Sequence, residues 1–159
     1  MTRHSDAIDR AAGLAPGGEL HALRRLRPEF VDGAEACRAA VLTPEEGLDL
    51  SEDLRQAVAC RVARGAQNPA LLAGYRVPEA TDLAALARGE TPADPSLAAL
   101  ARHADMIASR PAEARAEDLA ALQAVGFTVP QIIALSELLA YVCFQIRVAH
   151  GLALMEAAQ

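Results

Sequence analysis

The sequence predicts an all-α fold, and three observations carry that expectation. Of the 159 residues 52% are hydrophobic, yet only 3% are aromatic and tryptophan is absent. Alanine and leucine supply most of that apolar content, and they favour packed helices over sheets. Apolar residues recur three and four positions apart through most of the chain, the spacing that lines one face of a helix. Helix-starting and helix-stopping residues punctuate the chain often enough for about seven or eight helices, and its length suffices for one domain with a full core.

Taken in order, Ile8, Ala11, Ala12 and Leu14 form one side of a short amphipathic helix that Pro16-Gly17-Gly18 ends. Leu20, Leu23 and Leu26 point one way in the next segment, until Pro28 breaks or restarts the helix. Phe30, Val31, Ala34, Cys37 and Val41 then continue an apolar stripe. Thr43-Pro44-Glu45-Glu46-Gly47 is a loop, after which Ser51 is the expected N-cap of a helix bearing Leu54, Val58, Arg61 and Val62. Gly65 is expected to close that helix in a left-handed cap. Asn68-Pro69 is a second start signal, with Asn as N-cap and Pro at the first helical position.

Thr81 to Arg88 reads as a short helix capped by Thr81 or Asp82. Asp94-Pro95 opens another, with Leu97, Leu100, Ala104 and Ile107 as its stripe and Arg110-Pro111 as its stop. Glu117 to Val125 follows, ended by Gly126. Thr128 with Gln131 is a capping box that starts the longest helix, about Val129 to Glu156. Its apolar face includes Ile132, Leu135, Leu139, Val142, Cys143, Ile146 and Ala149, flanked by Ile133, Leu138 and Leu152. A helix apolar over so wide an arc is central or shared with a second chain.

The net charge of −6 opposes nucleic-acid phosphates, so no nucleic-acid partner is expected. Arg24, Arg25 and Arg27 form the one basic spot, which reads as a solvated helix face. The longest apolar run, Ile132 to Val142, is interrupted by Ser136 and Glu137, so no membrane span is expected. The N-terminal MTRHSDAIDR lacks the apolar core of a signal peptide, and a cytoplasmic location is expected. Cys37, Cys60 and Cys143 are odd in number, far apart and set in apolar helical segments, as free buried thiols in a reducing compartment would be. No metal or cofactor is implied. His4, His21, His103 and His150 are scattered, with His4 and His21 placed in poorly structured or surface-helix positions.

Leu50 to Tyr75, LSEDLRQAVACRVARGAQNPALLAGY, is a helix, a Gly-containing break and a second helix start. Downstream come a DP-started helix, a DLAAL-x-x-x-G helix and a long helix bearing Arg147. This layout resembles the alkylhydroperoxidase D and carboxymuconolactone decarboxylase superfamily, over roughly residues 20–155. The resemblance divides the chain into an N-terminal helical arm, 1–18, and a family-like domain, 19–159. It implies a homo-oligomer (dimer, trimer or hexamer) related to peroxidases or lactone decarboxylases.

In redox members of that family a Glu faces a CxxC pair and a His. Laid over this chain, those positions fall on Gln56, Asn68, Leu71 and Tyr75. Reduction of a peroxide needs a thiolate, and none of the four supplies one. Cys60 lies one helical turn after Gln56 and could be a lone reactive thiol, or a small buried apolar residue. No basic residue is evident near it to lower its pKa. Gln56, Asn68 and Tyr75 could orient a small organic ligand, or bond to one another and close the site. Glu137, one turn before Tyr141, is the remaining acid/base candidate, with a structural ion pair as its other reading.

Two functional classes follow. One is an enzyme of the implied families, with one-cysteine peroxidase chemistry at Cys60 as a variant. The other is a non-catalytic descendant that binds a small ligand or assembles with partners. An open pocket at Gln56, Cys60 and Tyr75 favours an enzyme or binder; a filled core there favours an interaction role.

Overall fold

In the computed structural model, which describes residues 5–158, the chain is all-helical as expected. In chain order come α1 (Ala7–Ala12), α2 (Glu19–Arg24), α3 (Pro28–Leu42), α4 (Glu52–Gly65), α5 (Pro69–Leu72), α6 (Thr81–Arg88), α7 (Pro95–Ser109), α8 (Ala116–Ala124) and α9 (Val129–Ala157). A single 3-10 turn, Pro111–Glu113, links α7 to α8.

Most boundaries follow from side chains that satisfy the unpaired N–H groups at helix starts. Ser51, Asn68 and Asp94 accept from the backbone N–H of Leu54, Leu71 and Leu97. Thr128 and Gln131 form the expected capping box on α9. Two expectations are corrected. Gly65 is the last residue of α4 and not a left-handed cap; Gln67, at φ 52°, takes the positive-φ position. Neither Thr81 nor Asp82 caps α6, whose N-cap is Ala80. Asp82 instead accepts from the backbone N–H of Ala93, tying down the loop before α7.

Helix α4 is the hub, packing against α3, α5, α6, α7 and α9. Ala57, Val58, Ala59, Cys60 and Ala63 are all fully buried on it. Their small side chains let neighbouring helices approach from several directions, so the alanine content becomes close packing. Helix α9 forms the long wall, burying Leu135, Leu138, Leu139 and Val142. By length and composition α9 is apolar enough to cross a membrane, with a mean hydropathy of 1.7, which corrects the expectation that no segment reaches that level. Half of that window is buried inside the protein, as in a core helix.

The described part of the 1–18 segment joins the same core. Helix α1 packs on α9 and α5, and Ile8, Ala11 and Leu14 are buried with them. Behind α1 lies the main electrostatic correction. Arg24 and Arg25 do not form a solvated face. Arg24 pairs with Asp6 and Asp9, and Arg25 Nη2 sits 2.6 Å from Asp9 Oδ2. Asp9 is fully buried, and Arg27 alone of the three arginines is well exposed. His21, expected at the surface, is buried beside Asp9, at 3.8 Å. The turn after α1 folds α2 back, so that charges 15 residues apart in sequence meet.

Arg55 makes a second buried clamp. From α4 its guanidinium donates to the carbonyls of Val41, Gly47 and Leu50. It thereby satisfies a carbonyl in the last turn of α3 and pins the 43–50 loop.

Candidate functional site

The five residues placed at the family pocket divide into four separate structural roles. Gln56 Oε1 accepts from the backbone N–H of Arg76 at 3.1 Å, and the Cys60 thiol donates to the carbonyl of the same residue at 3.4 Å. Asn68 caps α5 through Oδ1 and donates through Nδ2 to the carbonyl of Ala11, fastening α5 to α1. Leu71 is buried in the core. Tyr75 donates its hydroxyl proton to Oε1 of the buried Gln145 on α9, and the Arg38 guanidinium lies 4.7 Å from the centre of its ring. Helix α5 is a single turn, so Tyr75 follows it in a loop and turns toward α9. The polar groups of this region are thus engaged with backbone and with Gln145, inside packed apolar neighbours.

Burial pushes the Cys60 thiol above its ordinary pKa, and the guanidinium groups of Arg64 and Arg76 only partly oppose this. Arg64, one turn after Cys60 on α4, is open to a reading of the spacing and corrects the expectation of no basic neighbour; Arg76 comes from beyond α5 and is not. Tyr75 is likewise raised by burial, against the influence of Arg38. A thiol held protonated is a poor nucleophile. Cys60 and Cys143 are buried as expected, but Cys37, expected in the core, is exposed on the groove side of α3. On brief alkylation of the folded protein with iodoacetamide, Cys37 is expected to label first. Cys60 and Cys143 are expected to lag by about a hundredfold or more, because they require local opening. Peptide masses over a time course check this; labelling of Cys60 as fast as Cys37 would contradict it.

Glu137 and Tyr141 do share a cavity, but a different one. A groove of about 670 Å³ runs between α3 and α9. Phe30, Ala34, Cys37 and Val41 line it from α3, and Ala140, Tyr141 and Phe144 from α9, with the carboxylates of Glu29 and Glu137. Three of the five aromatic residues of the chain therefore gather here. The rings of Tyr141 and Phe144 lie 6.4 Å apart, and Arg27 covers Phe30 at 4.8 Å.

The Tyr141 hydroxyl is buried without a hydrogen-bond partner, as is Nη1 of Arg38. Burial pushes the Tyr141 pKa up to about 12, and Arg38 is close enough to oppose that rise. A buried hydroxyl with nothing to donate to is uncommon in a folded protein, while Arg38 donates through Nη2 to the carbonyl of Gly74. Arg38, Gln145 and the role of Phe144 escaped the sequence reading. The clustering of scarce aromatics at helical spacing, Phe30 on one helix and Tyr141 with Phe144 on another, is the signal that could have found the groove.

No three His, Cys, Asp or Glu residues converge as a metal site among the described residues. His103 is buried and its pKa lies below the ordinary value, because burial outweighs Asp118; His4 lies outside the described residues. No family model, curated protein or solved structure matches this chain.

Proposed function

We propose that this protein is a small-molecule-binding relative of the alkylhydroperoxidase D and carboxymuconolactone decarboxylase proteins, one in which the dithiol site has become packed core. The observation that carries the proposal is the α3–α9 groove, an apolar cavity lined by Phe30, Tyr141 and Phe144 with the carboxylates of Glu29 and Glu137. An apolar cavity with a few polar groups is the usual form of an organic ligand site. The chemistry of the groove suits a molecule with an aromatic or aliphatic body. The body would lie against Phe30, Val41 and Phe144. Peroxidase chemistry at Cys60 is the weaker reading, since its thiol is buried, raised in pKa and bonded to a carbonyl. A cytoplasmic location, where thiols stay reduced, fits the three free cysteines.

Gly33 offers a test that separates binding from stability. It lies within α3, lines the groove, and has no atom within 4 Å of where a Cβ would sit. Gly33→Leu is expected to fill the groove while gaining about 0.5–1 kcal/mol of helix stability. Anilinonaphthalene sulfonate, an aromatic anion, serves as the probe. The wild type should bind it saturably, and the variant at least about tenfold more weakly with a raised Tm. Equal probe binding by the two proteins would remove the groove as the site.

A further inference from the structure

Helix α9 has a second pattern on the side turned away from the core. Ile133, Glu137, Ala140, Phe144, Arg147, Gly151 and Leu154 are all exposed, and they alternate at spacings of four and three. That is the spacing of a coiled-coil seam, in which a residues of one helix meet d residues of another. The large apolar members are strongly exposed: Ile133 at 55%, Phe144 at 45% and Leu154 at 59%. Neither Glu137 nor Arg147 makes an ion pair among the described residues; Arg147 lies by the Cys143 thiol one turn earlier, and Glu137 acts at a distance on Arg55.

We propose that a second copy of this chain docks here, its α9 antiparallel to the first about a twofold axis level with residue 142. The seam is self-complementary in that register and in no arrangement that shifts it by a turn. Positions 137 and 147 are equidistant from the axis, so Glu137 of each copy faces Arg147 of the other. Positions 140 and 144 are equidistant, so each Phe144 packs over an Ala140. Positions 133 and 151 are equidistant, so each Ile133 packs over a Gly151, where no atom of the chain's own fold occupies the space beside its Cα. Large residues meet small ones and opposite charges meet, in symmetric pairs, as an isologous interface requires. A parallel pair would instead set Glu137 against Glu137 and Arg147 against Arg147. The inference rests on the register of α9 and does not need the groove to bind a ligand. Because the seam shares Glu137, Ala140 and Phe144 with the groove, the second copy would roof its α9 side.

The test is a charge-reversal cycle followed by sedimentation equilibrium on the full chain. Both positions are exposed, so Glu137→Arg and Arg147→Glu should leave the helical circular dichroism unchanged. Wild type is expected to be a dimer. Each single reversal should weaken the dimer about tenfold or more, and the double variant Glu137→Arg/Arg147→Glu should recover most of the loss. A monomeric wild type would overturn the proposal, and so would a dimer indifferent to the single reversals. Vesicle binding by a monomer would also overturn it, assigning the apolar face of α9 to lipid. Probe binding in the groove is read separately, so loss of one result does not imply loss of the other.

Discussion

Replacing Asp9 by alanine is expected to destabilise the protein by about 3–5 kcal/mol, a large share of the total for a domain this size. Asp9 is fully buried and accepts from Arg24 and Arg25, while also closing the α1 capping box with Asp6. Removing it leaves two largely buried cations short of an acceptor and unpins α2 from α1. The same cluster predicts acid lability. Burial raises the Asp9 pKa, but hydrogen bonds and charge from Arg25 and Arg24 outweigh it, so the net pKa in the folded state is lowered. A carboxylate with a depressed folded pKa contributes stability above its unfolded pKa, about 3.9, and that contribution is lost as pH falls through the folded value. His103, also depressed but basic, is held neutral when folded, so its contribution is lost earlier, as pH falls below its unfolded value of about 6.5. Urea midpoints near pH 7, about pH 5 and about pH 3 check both windows. The Asp9→Ala protein should be much less stable than wild type near pH 7 and should lose less further stability at the acid end. Arg27→Ala, at an exposed pair, should stay within about 0.5 kcal/mol of wild type throughout.

Arg55→Ala is expected to cost about 3 kcal/mol, through the carbonyls of Val41, Gly47 and Leu50 that lose their charged donor. Arg55→Met keeps most of the apolar stem without the donors. Urea unfolding of both variants separates packing from hydrogen bonding: if methionine restores full stability, the bonds contribute little. A functional consequence accompanies the loss. Val41 lies in the wall of the groove and its carbonyl is one that Arg55 holds, so loosening this end of α3 should also weaken probe binding. Burial already lowers the Arg55 pKa, with Glu137 opposing. The clamp therefore lies near the acidic edge of the groove.

The helices were legible because their causes are local. Ser51, Asn68, Asp94 and Thr128 announce helix starts by side-chain chemistry that acts within one turn, and each caps where it was expected. What the sequence hid is non-local. Arg24 and Arg25 look like a solvated run until α2 folds back onto Asp6 and Asp9. Tyr75 looks like a replacement for a catalytic group until the single turn of α5 delivers its hydroxyl to Gln145, 70 positions away. Glu137 and Tyr141 were read as a pair on one helix, one turn apart. Their setting depends on α3 crossing beside them, which no spacing within α9 can reveal.

The contact between α1 and α9 joins the two ends of the described chain. Helix pairs close in sequence, such as α6 with α7, can meet by short diffusive searches, whereas the α1–α9 contact needs the two ends of the described chain to meet. That closure spans more than a hundred residues, and its entropic cost grows slowly with length but must be met before the contacts compensate. Completion of this fold thus depends on its longest loop closing, whereas the Asp9 cluster joins α1 to α2 through partners no more than 18 positions apart.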